Sequence, residues 1–362
     1  MSAHNVMYDI DKAGGIDGMK MSFGDSKDVE LGFDGTSLIL EALADDTLIE
    51  IGDAATVQKS FDVKIYGDDA SGASYLYFDA SGNSLSTVGI DVKLPDNDKI
   101  VLGTGSDVQF QWNGTYLEGG PASGMWAGAP SPADPRYFAY AHEFFDDFMY
   151  NAPLDANLKW TEVDDSGTGT NAISDAAGGI GTLVTAGTDN DYHAVSSVAE
   201  IFTFAAGKKL WFEARFKIAE ATTNESAWWF GLTNTLTTGG FQADALGPLA
   251  SYDGVLIWKD EATMAINFET SNLTTQKTAT AEAVFVTDTW TTVAFYFDGT
   301  ATTATVTPYY NVAGGTALTA GTAKTLTLAG LEEMHLVMGV KAGPTAAVET
   351  LQIDYIKCVQ LR

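Results

Sequence analysis

Short runs of β-branched and aromatic residues recur about every eight to twelve residues, with Gly, Thr, Ser and Asp between them. That rhythm predicts an all-β chain with almost no helix. Val29, Leu31 and Phe33 alternate with Asp28, Glu30 and Gly32, and Asp34-Gly35 then leads into Leu38 and Leu40. Asp-Gly between two alternating runs predicts a hairpin, because both residues tolerate the positive φ that a tight turn demands. The same device returns where Val108, Phe110 and Trp112 run into Asn113-Gly114 and then Tyr116. Aligning 20–38 with 99–117 gives seven identities in nineteen positions, an internal repeat. Phe61–Gly67 and Tyr75–Leu85 form another hairpin-like unit between the copies, differently spaced. Two strands with one apolar face are marginal in water and need neighbours. Residues 1–118 are therefore read as a β-repeat attachment and oligomerisation region. Its candidate assembly residues are Val29, Leu31, Phe33, Val108, Phe110 and Trp112.

Residues 119–136 hold four of the nine prolines and no periodic apolar pattern, which marks a Pro/Gly linker. Trp126 is bulky for a free linker and is expected to pack on a domain face or another chain. From 137 to 362 the pattern predicts a jelly-roll sandwich, with strands at 181–185, 210–218, 227–232, 254–258, 264–269, 289–297, 304–310, 334–340 and 350–361. In 210–218, Leu210, Phe212, Ala214, Phe216 and Ile218 share one face, and Trp211, Glu213, Arg215 and Lys217 the other. One face is buried and the other mostly wet, as in an antiparallel two-sheet stack.

Charge narrows the partners. The 362 residues carry 19 Lys plus Arg against 48 Asp plus Glu, a formal net charge of -29. The excess is spread along the chain: 22 acids and 7 bases in 1–135, 26 and 12 in 136–362. Such a surface repels phosphate backbones and anionic lipid, which argues against nucleic-acid and membrane partners. The single cysteine, Cys358, excludes an intramolecular disulfide and reads as a buried, inert thiol. The N-terminus shows no basic and apolar leader, so synthesis in a host cytoplasm without a conventional secretory signal is expected.

The stretches Glu143-Phe-Phe-Asp-Asp-Phe, Lys159-Trp-Thr, Asp164-Asp-Ser-Gly-Thr, Asp175-Ala-Ala-Gly-Gly and Leu210-Trp-Phe-Glu-Ala-Arg, with the closing Leu351-Gln-Ile-Asp-Tyr-Ile-Lys, resemble a concanavalin A-like lectin/glucanase (LamG-like) sandwich of tailed-phage virion proteins. Asp62-Val-Lys-Ile-Tyr-Gly, Tyr75-Leu-Tyr-Phe-Asp-Ala-Ser and the Ser106–Thr115 repeat are similar to β-repeats of phage structural proteins. The resemblance implies a virion structural protein, foremost a capsid decoration (cement or head-fibre) protein on the outer surface. Its partners would be itself, as a homotrimer, and the major capsid protein or another virion protein. The alternative is a tail-fibre or tail-associated lectin-like adhesin that binds host-surface glycan. A surface-displayed bacterial adhesin is a third reading, disfavoured by the missing leader.

Candidate chemistry is sparse. The Glu-x-Asp-x-Glu that supplies a glucanase with two carboxylates about 5 Å apart is missing, and Asp146-Asp147 would point to opposite faces of a strand. His142, His193 and His335 have no Gly-x-Ser-x-Gly beside them, so no catalytic residue is assigned and no enzyme activity is expected. No cofactor is expected either: Gly119-Gly120 and Gly239-Gly240 lack the following helix or lysine of a phosphate cradle. Asp189, Asn190 and Asp191 offer three oxygen donors in one loop, a weak calcium candidate beside the ordinary solvated turn. A glycan site on a sandwich needs an exposed aromatic platform, and Trp228, Trp229, Phe241 and Trp258 are the candidates. Alternation puts one of Trp228 and Trp229 inside and the other half-exposed.

Overall fold

In the computed structural model, residues 1–98 are described within the strands Met7–Asp9, Lys20–Phe23, Val29–Phe33, Leu38–Ala42, Val63–Tyr66, Tyr75–Asp79 and Ser84–Val88. From Lys99 onward the structure is described except at 103–107, 114, 122–123, 150–158, 165–168, 175–177, 221–224, 235–246, 301 and 316. The chain divides into two compact units, Met1–Lys93 and Leu94–Arg362.

The first unit carries two antiparallel sheets. One runs Met7–Asp9, Lys20–Phe23, Val29–Phe33, Leu38–Ala42; the other runs Val63–Tyr66, Tyr75–Asp79, Ser84–Val88. The second unit opens on a three-stranded meander, Lys99–Leu102, Val108–Trp112 and Leu117–Pro121. Each of its strand bounds lies 79 residues after a bound in the first sheet, from Lys20 to Lys99 and from Ala42 to Pro121. The registers shift together too: Met21 faces Leu31 as Ile100 faces Phe110, and Phe33 faces Leu38 as Trp112 faces Leu117. The middle sheet repeats the strand lengths of four, five and five residues around longer first loops. Both Asp34-Gly35 and Asn113-Gly114 therefore lie in four-residue connections between paired five-residue strands.

The boundary read at 118 falls inside the strand Leu117–Pro121. Gly119 continues that strand because the site has no room for more: a Cβ there would sit 3.0 Å from Ser131 Cβ and 3.2 Å from Phe110 Cδ1. Residues 124–136 are packed, not extended. Met125 and Ala129 are buried with Tyr137, Ala141, Trp211, Ala294 and Val359 in one cluster on the outer face of the sandwich. Asp134 Oδ2 accepts the Leu117 N–H at 3.1 Å, and the Arg136 guanidinium lies 4.6 Å over the Trp112 ring.

The rest is a two-sheet antiparallel sandwich. A 9-stranded sheet has Thr350–Leu361 and Leu210–Ala219 at its centre, followed by Thr291–Phe297 and Thr303–Asn311. A 7-stranded sheet runs Trp160–Asp164, Tyr192–Ser197, His335–Ala342, Ser226–Thr233, Gly254–Lys259, Ala265–Asn272, Thr275–Val284. Leu210, Phe212, Ala214, Phe216 and Ile218 are fully buried between the sheets, as their spacing predicts. Phe216 stacks on Phe230 of the opposite sheet at 4.3 Å between ring centres, with Trp228 edge-on at 4.7 Å. Burying side chains of this size gains about 1.5–3 kcal/mol each, which sets the core here.

The nine strands expected from alternation are present within two residues at each end, apart from the later end at Asn272. The strands Ala141–Asp146, Trp160–Asp164, Thr170–Ser174 and Thr275–Val284 add to them at sheet edges, where polar residues on both faces hide the alternation. Tyr192–Ser197 adds another, lying inside the 7-stranded sheet.

Candidate functional site

The last strand contains a β-bulge. Opposite Leu210–Ala219, Arg215 pairs with Tyr355 and Phe216 with Ile353, leaving Asp354 as the extra residue. The inward residues are accordingly Leu351, Ile353, Ile356 and Cys358, spaced two, three and two apart. The bulge turns both Asp354 and Tyr355 to the outer face, where simple alternation would show only one. On the neighbouring strand, Glu213 and Arg215 project to the same face at i and i+2.

These four side chains interlock. The Glu213 carboxylate accepts the Trp126 indole N–H at 2.6 Å on one oxygen and the Tyr355 hydroxyl on the other. Arg215 pairs with Asp354, and its guanidinium lies 4.8 Å over the Trp290 ring. Burial and the Glu213 charge push the Tyr355 phenol up from its ordinary value, so it stays a donor. Trp126, Glu213, Arg215, Tyr355, Thr292 and Leu318 line a cleft of about 480 Å³. Trp126 also forms the wall of a second hollow of about 180 Å³, beside Pro130, Tyr137 and Lys357. Lys357 holds its ammonium 4.9 Å over the Trp126 ring. The cleft thus offers aromatic faces beside a fixed acceptor and a fixed donor.

The aromatics expected to form a platform lie elsewhere. Trp228 is fully buried between the sheets, and Trp229 is only 2% exposed, which corrects the expectation that one of the pair stands half-exposed. Trp229 does point outward, but the segment around Leu249 and Tyr252 folds over it together with Trp258. Gly339 leaves the space its ring fills: a Cβ there would lie 2.2 Å from Trp229 Cζ2. Trp258 is 8% exposed, covered at Gly247. Phe241 lies outside the described residues.

Asp189, Asn190 and Asp191 do not converge as calcium ligands. Asp191 is buried and accepts the Ala186 N–H, while Asn190 Oδ1 accepts the Lys341 ammonium at 2.9 Å, a positive charge where a cation would sit. Asp189 is exposed. Of the assembly residues, Val108 and Phe110 are 37% and 38% exposed on one face with Ile100, and Trp112 is half-buried under Arg136. Val29, Leu31 and Phe33 lie on the strand Val29–Phe33, their side chains outside the described residues.

The remaining polar candidates have structural partners. Asp146 is buried and accepts the Trp160 indole N–H at 2.7 Å. His142 contacts Ile201 O at 2.8 Å and stacks on Phe202, and burial holds its pKa below the ordinary value. His335 contacts Ser197 O at 2.7 Å. Burial pushes the Cys358 thiol well up. The sequence pattern places Glu213 and Arg215 on the wet face of their strand and singles out neither Asp354 nor Tyr355. The visible signal was the three-residue step between Ile353 and Ile356.

No protein-family profile matches the chain, and no curated protein sequence matches it. Among solved structures it is similar to a Shewanella oneidensis MR-1 protein of unknown function, with 17% identity, TM-score 0.42, and coverage of 64% of this chain and 96% of that one. It is also similar to basic winged bean lectin with Tn-antigen, at 15% identity, TM-score 0.41, 61% of this chain and 99% of that one. Peanut lectin with a 9mer peptide is a third, at 14% identity, TM-score 0.43, 61% and 98%. The structural neighbours are lectin-like sandwich domains.

Proposed function

We propose that the chain is a non-enzymatic carbohydrate-binding protein, a lectin-like adhesin, and that its sugar site is the cleft around Trp126, Glu213, Arg215 and Tyr355. The observation that carries this is the bulge at Asp354, which sets a phenol, a carboxylate and a guanidinium side by side under a tryptophan. A sugar presents hydroxyls that both donate and accept, and an apolar C–H face. Glu213 accepts, Arg215 donates, Tyr355, whose proton goes to Glu213, accepts, and an aromatic ring receives the C–H face. A neutral ligand also suits a chain of net charge -29, which repels anions. Both Glu213 oxygens are held by donors, a positioning role that does not fit proton transfer.

The test is a glycan array probed with the full chain and with Tyr355→Phe and Trp126→Ala. Binding of a restricted set of neutral glycans is expected. Tyr355→Phe, which removes one hydroxyl, should weaken it about tenfold, corresponding to a hydrogen bond of about 1.4 kcal/mol. Trp126→Ala should abolish it. Glycan binding unchanged in both variants would remove the assignment.

A second reading, a capsid decoration protein assembled as a homotrimer on the virion exterior, is favoured by the exposed apolar face of Ile100, Val108 and Phe110. Its check is the solution mass of the full chain. A trimer reduced to monomer by Phe110→Ser supports assembly through this face; a monomeric wild-type chain opposes it.

A further inference from the structure

On the edge strand of the 7-stranded sheet, Trp160 faces the core, and alternation brings Glu162 and Asp164 to that same inward face. Opposite Asp164, in register on the next strand, is His193. Such a position between two sheets normally takes an apolar side chain, and here it holds an imidazole that is 0% exposed. The chain makes room for that ring: a Cβ at Gly169 would lie 2.4 Å from His193 Nδ1.

Among the described residues, neither ring nitrogen of His193 makes a hydrogen bond. Nε2 lies 2.7 Å from Glu162 Oε1, a contact that does not meet hydrogen-bond geometry. A buried imidazole whose nitrogens make no hydrogen bond costs free energy that an ion pair with good geometry would avoid. An imidazole nitrogen and a carboxylate oxygen this close without a hydrogen bond between them are placed as two ligands of one ion can be. The ligand atoms of Glu162, Asp164 and His193 all lie within 4.8 Å of one another. Ion-to-ligand distances of about 2.0–2.2 Å place atoms on one ion about 3–4 Å apart, so side-chain shifts of about an ångström close the cluster.

We propose that Glu162, Asp164 and His193 bind a divalent transition-metal ion, with zinc the best match. One imidazole and two carboxylates fit zinc and its neighbours better than calcium, which takes six to eight oxygens. Glu162 and Asp164 are half-buried, which gives the ion a route in, while His193 anchors it from inside. The ion ties the edge strand Trp160–Asp164 to Tyr192–Ser197, so binding stabilises the folded chain. This site is separate from the sugar cleft on the other sheet and stands or falls independently of it.

Cobalt(II) is the probe, because its visible absorption reports a nitrogen-containing inner sphere and ignores the diffuse ion cloud of an acidic surface. The full chain, stripped with chelator, should bind one equivalent of Co²⁺ with ligand-field bands that persist in excess Mg²⁺ and are displaced by one equivalent of Zn²⁺. Glu162→Gln and Asp164→Asn change half-buried carboxylates isosterically and keep the fold. Each should lower the affinity by more than the roughly 10–100-fold that loss of an outer-shell partner costs. His193→Gln should abolish the bands, and if it does not fold, the two carboxylate variants decide. Absence of the bands from the wild-type chain, or bands unchanged in Glu162→Gln and Asp164→Asn, would overturn the proposal and leave an internal ion pair only.

Discussion

Glu269 is a carboxylate 5% exposed on the 7-stranded sheet, and burial raises its pKa above the ordinary 4.5. Its partners, Tyr252 Oη at 2.9 Å and Thr278 Oγ1 at 2.5 Å, both donate and only partly offset that desolvation. The folded state holds this proton more tightly than the unfolded chain. Its stabilising effect is therefore full below about pH 4.5 and is lost as pH rises through the folded pKa. Glu269→Gln keeps an acceptor for Tyr252 and removes the charge. It is expected to raise Tm at pH 8 and to leave Tm unchanged near pH 4; an equal shift at both pH values would show that charge burial is not the cause. Lys259 shows the opposite arrangement, a buried ammonium matched by Glu220 Oε1 at 2.8 Å and Ser226 O at 2.6 Å, both charged side chains being 0% exposed. Lys259→Met leaves Glu220 buried without its countercharge and should cost about 3–5 kcal/mol, read by denaturant unfolding. Lys259→Met with Glu220→Gln should recover most of that loss.

At the scale of elements, alternation is legible wherever one face of a strand is apolar. Leu210–Ala219 is the plainest example, because it sits at the centre of a sheet and must fill the core from one side. Trp160–Asp164 and Thr170–Ser174 are less legible, since edge strands carry polar residues on both faces. The covering of Trp229 could not be read from its own strand at all: it depends on Leu249 and Tyr252, about twenty residues away in sequence. The candidate cleft hangs on a local irregularity, the extra Asp354, which breaks the alternation used to find the strand. Deleting Asp354 makes Arg215–Tyr355 and Phe216–Ile353 consecutive pairs. Neighbours on the other edge are two separate strands, Ile180–Val184 and Ala141–Asp146, which can absorb the slip. The deletion is expected to cost about 1 kcal/mol, roughly 2–4 °C in Tm for a domain of this size, and to weaken sugar binding through loss of the Arg215 partner. Unfolding of the deletion variant would mean that the bulge serves the fold and not the cleft.

The whole molecule combines three similar meanders with one large sandwich. The meanders of 20–42, 63–88 and 99–121 share strand lengths, and the last lies in the same compact unit as the sandwich. Acidic residues spread over both halves keep copies apart in solution, so specific association must come from apolar faces such as Ile100, Val108 and Phe110. No helix among the described residues is long and apolar enough to cross a membrane. The proposed sugar site lies on the outer face of the 9-stranded sheet, away from the tryptophans of the 7-stranded one. Eight tryptophans give eight indole N–H signals in a nitrogen-labelled chain, and substitution assigns them one by one. Titrating the full chain with a glycan from the array should shift the Trp126 and Trp290 signals and leave Trp228, Trp229 and Trp258 in place. Shifts confined to Trp229 and Trp258, with Trp126 unmoved, would place the sugar on the 7-stranded sheet and remove the cleft as its site.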